Sequence, residues 1–135
     1  MTEQEQMLFD AAMLARKHSY VPQSGFKVGA AVLAENGAVY FGCNIENACL
    51  SITNCAERTA IFSAIAGGAR KIMALLVVAD TEKPVMPCGA CRQVIAEFGV
   101  EKIILANIKG ELEYYSIEEL LPGAFVLENC GDNDA

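Results

Sequence analysis

Apolar positions along the chain change period several times, and each change marks an element. After Thr2-Glu3-Gln4-Glu5, which has the form of a capping box, Leu8, Ala11, Ala12 and Ala15 recur at i, i+3, i+4 and i+7. That spacing predicts a helix over residues 3–17. Pro22 and Gly25 then break the chain into a loop. Residues 28–34 and 38–42 read as strands around Glu35-Asn36-Gly37, where Asn-Gly suits a tight hairpin turn. The polar, small-residue stretch 44–53 reads as a loop, and 55–66 as a helix stopped by Gly67-Gly68. IMALLVVA, residues 72–79, is a continuous apolar run of the kind found in a buried central strand.

A loop over 84–87 leads to a helix over 88–98, ended by Gly99. Residues 102–106 and 111–115 read as a strand and an edge strand joined by a turn at 107–110. Ser116, with Glu119 three residues on, caps a short helix to 121 that Pro122-Gly123 stops. The order α-β-β-α-β-α-β-β-α predicts one sheet flanked by helices, in the α/β class. No repeat and no linker divides the chain, so residues 1–135 read as a single domain, with 128–135 a loose acidic tail.

Charge narrows the partners. Ten basic against 17 acidic side chains give a formal net charge of −7, and the isoelectric point is about 4.6. Such a chain repels a phosphate backbone, which disfavours nucleic acid and suits a small neutral or cationic ligand. No stretch reaches the ~18 apolar residues of a membrane span. MTEQEQMLFD lacks the apolar core of a secretory signal, so the expectation is a cytoplasmic protein with reduced thiols.

Under that expectation the six cysteines (43, 49, 55, 88, 91 and 130) point to metal or catalysis more than to disulfides. Pro87-Cys88-Gly-Ala-Cys91 opens a predicted helix after a strand and loop. Its thiols at i and i+3 share a face at the positive end of the helix dipole. Cys55 opens the other helix that follows a loop. Two helix starts facing each other would supply three thiolates and leave a fourth tetrahedral position free, the pattern of a catalytic zinc site. Glu57 stands two residues beyond Cys55, placed to move a proton beside a metal-bound water. A redox pair would account for Cys88 and Cys91 but leave Cys55 and Glu57 idle. A structural zinc site would need a fourth protein ligand. Cys43, Cys49 and Cys130 have no partner pattern, and His18, at the end of the first helix, has no ligand-like spacing.

Cys-x-Glu followed by Pro-Cys-x-x-Cys is the signature of zinc nucleobase deaminases, here with cysteine as first ligand. The chain as a whole resembles the small homotetrameric cytidine deaminases of the three-cysteine zinc type. The resemblance runs through Ser24-Gly-Phe-Lys-Val-Gly-Ala-Ala31, Gly42-Cys-Asn-Ile-Glu-Asn-Ala48, Cys55-Ala-Glu-Arg-Thr59 and Pro87-Cys-Gly-Ala-Cys-Arg-Gln93. It ends on Glu118-Glu-Leu-Leu-Pro-Gly-Ala-Phe125. It implies a three-layer α-β-α fold around a single mixed sheet. The implied activity is hydrolytic deamination of cytidine and 2′-deoxycytidine in pyrimidine salvage, with one Zn²⁺ per chain held by Cys55, Cys88 and Cys91. Glu57 would be the proton carrier that serves cytosine N3 and the departing amine. A deaminase of another cytosine-like nucleoside, such as a nucleoside antibiotic, is the alternative.

The same resemblance gives Arg58 hydrogen bonds to ligand sulfurs, which would offset the net −1 of three thiolates on Zn²⁺. Asn44 and Glu46 would hold the ribose hydroxyl, Phe26 would stack on the base, and Ala56 would offer its helix-start N–H to the base carbonyl. Phe125 would reach the pocket of a neighbouring subunit in a homotetramer with shared sites. Arg92 reads equally well as a surface charge. Gln23 stands where the family commonly has an aromatic, and Leu50 where it has tyrosine, both at the border of pocket and subunit contacts.

Overall fold

The computed structural model describes residues 1–127; the acidic tail and Cys130 lie outside the described residues. The elements are α1 (Glu3–Arg16), β1 (Val28–Ala34), β2 (Val39–Cys43), a 3-10 turn (Leu50–Ile52), α2 (Ala56–Ala66), β3 (Ile72–Ala79), α3 (Gly89–Glu97), β4 (Lys102–Asn107), β5 (Leu112–Tyr115) and α4 (Ile117–Leu120). The predicted order holds, with the 3-10 turn added inside the loop after β2. The differences lie at the ends. Lys17 caps α1 instead of continuing it, and β2 is shifted one residue onward. Cys55 and Cys88 have extended backbones and serve as the N-caps of α2 and α3, one residue outside each helix. Both predicted capping boxes form, at Thr2–Glu5 and Ser116–Glu119.

The sheet order is β2-β1-β3-β4-β5. β1 is antiparallel to both β2 and β3, β3 is parallel to β4, and β4 is antiparallel to β5, so the sheet is mixed. Side-chain alternation divides the core cleanly. Val28, Ala30 and Val32 of β1, Leu75 and Val77 of β3 and Ile103 and Leu105 of β4 face Ala60, Ile61 and Ala64 of α2, Ile95 of α3 and Leu120 of α4. Their neighbours Ala31, Leu33, Leu76, Val78, Ile104 and Ala106 face Leu8 and Ala12 of α1. Both faces are covered, and that is why β1 and β3 read as unbroken apolar runs.

This pairing also places the helix starts. β2 and β3 are each antiparallel to β1, and β4 is parallel to β3, so β2, β3 and β4 point the same way. α2 follows β2 and α3 follows β3, both covering the same face. Their N-termini therefore meet beyond the carboxyl ends of these strands, where open α/β sheets commonly hold ligands. Two glycines set how closely helices lie on the sheet. A Cβ at Gly29 would come 2.0 Å from the Ala12 carbonyl oxygen of α1, and one at Gly42 would come 2.5 Å from the Ala60 amide of α2.

Candidate metal centre and pocket

Cys55 and Cys88, as N-caps, project their side chains from the first turns of α2 and α3, and Cys91 lies one turn into α3. The Sγ atoms of Cys55 and Cys88 are 3.8 Å apart, those of Cys88 and Cys91 3.3 Å apart, and all three lie within 4.8 Å of one another. Four sulfurs ~2.3 Å from a tetrahedral Zn²⁺ would be ~3.8 Å apart. The thiols therefore fit one zinc ion per chain, with one coordination position left for a non-protein ligand. Among the described residues no other group of three such side chains converges. Cys91 is buried, Cys55 half-buried and Cys88 exposed.

The electrostatics match a thiolate cluster. A hydrogen bond from Cys91, and then the Arg58 guanidinium, hold Cys55 down at about 5. Arg58 Nη2 donates to Cys55 Sγ at 3.1 Å and to the Thr53 carbonyl at 3.3 Å, while its Nε is buried with no partner. Cys91 is pushed far up by its bond to Cys55 and by burial, since one thiol of the set must carry a proton when no cation is counted. A divalent ion among the sulfurs reverses that preference, and binding it releases protons.

Glu57 is only 5% exposed although it sits in the first turn of α2. Burial pushes its carboxyl up to about 7, against the partial relief of a backbone N–H. With Cys55, Ala56 and Cys88 it lines a cavity of about 200 Å³ that Phe26, Val28, Asn44, Thr53, Val85 and Met86 complete. This volume is below the ~300–1,000 Å³ of sites that enclose a drug-sized ligand.

Cys55, Ala56, Glu57, Cys88, Phe26 and Asn44 are thus brought together around one cavity, with Cys91 and Arg58 behind it. Asn44 spends its carboxamide on the loop before β1: Nδ2 donates to the Phe26 carbonyl at 2.7 Å, and Oδ1 accepts from the Val28 amide at 2.9 Å. Glu46 does not line this cavity. Its carboxylate accepts from the Gln23 amide at 2.8 Å and from the Ser24 hydroxyl and amide, so it fastens the same loop from outside. Phe125, 68% exposed, lines a separate cavity of about 390 Å³ between α3, α4 and the segment beyond α4. Gln23 and the 69% exposed Leu50 lie on the surface. Arg92 belongs to neither cavity and bonds to two backbone carbonyls.

Thr53, Val85 and Met86 are wall residues that sequence reasoning passed over. The signal was available for the last two, because Pro84-Val-Met-Pro87 leads directly into Cys88.

Residues 2–107 match the family model for the cytidine and deoxycytidylate deaminase zinc-binding region. A cytidine deaminase of Sporosarcina psychrophila is 60% identical over 117 residues, spanning 85% of this chain and 86% of that protein. A cytidine deaminase of Halalkalibacterium halodurans is 52% identical over 129 residues, spanning 94% and 98%. Among solved structures, a cytidine deaminase from Burkholderia pseudomallei superposes with a TM-score of 0.86 at 47% identity, covering 93% of this chain and all of that one.

Proposed function

The chain belongs to the family of zinc-binding cytidine and deoxycytidylate deaminases, and from that premise we propose how its own residues hydrolyse cytidine and 2′-deoxycytidine. Water and the cytosine nucleoside give the uridine nucleoside and ammonia. One observation carries the reading: three thiols converge, and two of them, Cys55 and Cys88, line one small cavity together with the buried Glu57.

Cys55, Cys88 and Cys91 would hold the zinc ion, which when bound would supply the Lewis acidity that lets a water beside Glu57 give up a proton near neutral pH. Glu57 takes that proton. Burial raises its carboxyl above the usual carboxylate range, which favours a group that returns the proton it accepts. Glu57 delivers that proton to cytosine N3 as the C4–O bond forms, then takes the proton of the new C4 hydroxyl and passes it to the exocyclic nitrogen as the C4–N bond breaks and the C4 carbonyl forms. Arg58 keeps Cys55 anionic and spreads the charge of the sulfur set. Ala56, the first residue of α2, has an N–H outside the helical ladder to offer the base carbonyl.

Phe26 would stack on the pyrimidine, its position set by Asn44 through the backbone on either side of Lys27. The free lone pairs of Glu46 would accept a ribose hydroxyl, and its charge would turn a phosphate away. The one-chain cavity is small and Phe125 faces elsewhere, while the loop after β2 exposes Ile45, Leu50 and Ile52. A neighbour's Phe125 closing each site in a homotetramer accounts for all three. Thiolate ligation also needs reduced cysteines, which suits the cytoplasm.

The test is loss of cytosine ultraviolet absorbance on mixing purified protein with cytidine or 2′-deoxycytidine, with zinc measured in parallel. Glu57→Gln should keep about one zinc per chain and lose ~10²–10⁴-fold in turnover. A zinc-loaded wild type that leaves both nucleosides untouched would overturn the substrate assignment and direct the assay to other cytosine nucleosides.

A further inference from the structure

Of the three thiols, Cys88 is the one with least to hold it. Cys91 is buried in the core, and Cys55 receives the Arg58 guanidinium. Cys88 is exposed, and apart from its thiol neighbours its sulfur meets only the Cys91 amide, at 3.5 Å. Its position therefore depends on the backbone that delivers it. As N-cap, Cys88 already gives its carbonyl to the Arg92 amide at 3.0 Å, the first bond of the α3 ladder. The preceding carbonyl, that of Pro87, lies outside the ladder, and Pro87 is buried. A buried carbonyl needs a donor.

Arg92 provides one. Its Nε donates to the Pro87 carbonyl at 3.0 Å, and its Nη1 donates to the Leu120 carbonyl at 2.7 Å. Leu120 is a core residue at the end of α4, where helix carbonyls run out of internal partners. The planar fork of one guanidinium thus spans two carbonyls 33 residues apart in sequence. The Leu120 bond stops the side chain from swinging, and the Pro87 bond fixes the peptide plane from which Cys88 departs.

We infer that Arg92 is a positioning residue for the metal centre, fastening the Pro87–Cys88 peptide to α4 so that the Cys88 sulfur is held at bonding distance from the ion. This rests on the zinc reading above. Partners one step behind a ligand commonly contribute ~10- to 100-fold in metal affinity. The conservative exchange should not substitute, because a lysine ammonium reaches one carbonyl at a time where the fork reaches both.

The experiment measures zinc release to a chromogenic chelator from the zinc-loaded full chain, at a temperature well below the melting point of every variant. Arg92→Met keeps the apolar stem and removes the donors, and should release zinc ~10- to 100-fold faster than wild type. Arg92→Lys should fall between the two. Gln93→Ala is the control. Gln93 bonds only the Phe125 carbonyl, at 3.0 Å, so its loss should loosen the segment beyond α4 and leave zinc release unchanged. Arg92→Met with a lower melting temperature but wild-type release overturns the inference, as does a Gln93→Ala release rate equal to that of Arg92→Met. If Arg92→Met does not fold, wild-type release from Arg92→Lys overturns it. A wild-type chain that takes up no zinc overturns the zinc reading first, and is distinguished by that result.

Discussion

Gly42 is where the packing of the sheet and the chemistry of the site can be separated by one methyl group. Its missing side chain lets α2 lie directly on β2. A Cβ there would be 2.5 Å from the Ala60 amide and 2.7 Å from Thr59 Cβ, against 3.4–4 Å for ordinary contact. Gly42→Ala must therefore move α2 or β2 by about 1 Å, an overpacking that costs about 1–3 kcal/mol. The atoms it strikes lie one helical turn from Cys55. The Thr59 amide donates to the Cys55 carbonyl at 3.0 Å, so a displaced Thr59 carries Cys55 and Glu57 with it while Cys88 and Cys91 stay on α3. A misplacement of ~1 Å at reacting groups can cost ~10²-fold. Gly29→Ala provides the comparison. Its overlap is larger, 2.0 Å to the Ala12 carbonyl oxygen, but it pushes α1, which holds none of the thiols and not Glu57. Urea melts with kcat per zinc-loaded site would decide the matter. Gly29→Ala should lose at least as much stability with kcat nearly intact, and Gly42→Ala should lose stability and about two orders of magnitude in kcat. Wild-type kcat in Gly42→Ala, or equal kcat losses in both variants, would refute the reasoning.

Three other outcomes follow from observed contacts. Lys102, 2.8 Å away, and the Thr2 cap hold the Glu5 carboxyl down at about 2 from its usual 4.5. A depressed carboxyl stabilises the fold above its unfolded value and loses that contribution as pH falls through about 2, so the melting-temperature gap between wild type and Glu5→Gln should be full at pH 7 and shrink below pH 4. Arg58→Gln should weaken zinc retention and raise the pH at which zinc is half-released in a competition titration, because the cation that keeps Cys55 ionised is gone. Asn107, fully buried at the end of β4, donates to Glu82 and Glu111 and accepts from the amides of Lys109 and Glu111. Asn107→Ala should destabilise by about 1–3 kcal/mol in a denaturant melt, by leaving buried polar groups unpaired, with little change in kcat.

What could be read from sequence was whatever a single turn or strand encodes. The period of IMALLVVA, the cap at Thr2 and the two-residue step from Cys55 to Glu57 are local, and each element came out within a residue or two. The side chains that depend on long-range packing were harder to place. Arg92 read equally as a solvated charge, because its acceptors are the residue before Cys88 and one on another helix. Glu46 and Asn44 read as ligand contacts, and the structure also commits them to the loop that carries Phe26, a partnership that no spacing in the sequence announces. The position of Phe125 away from the one-chain cavity depends on where α4 ends in space.

The parallel run of β2, β3 and β4 has a consequence for assembly of the chain. Cys88 and Cys91 are neighbours on one helix, but Cys55 reaches them only after β3 has joined the sheet between the segments that carry them. An ion bridging Cys55 and Cys88 closes a loop of 33 residues, and does so only once that loop has found its native path. In the unfolded chain the pair from α3 offers two sulfurs and no third at a defined distance. Zinc held by these three thiols would act as a late cross-link, with less hold on the disordered chain than on the folded one. Its binding energy would then add mainly to the stability of the native state.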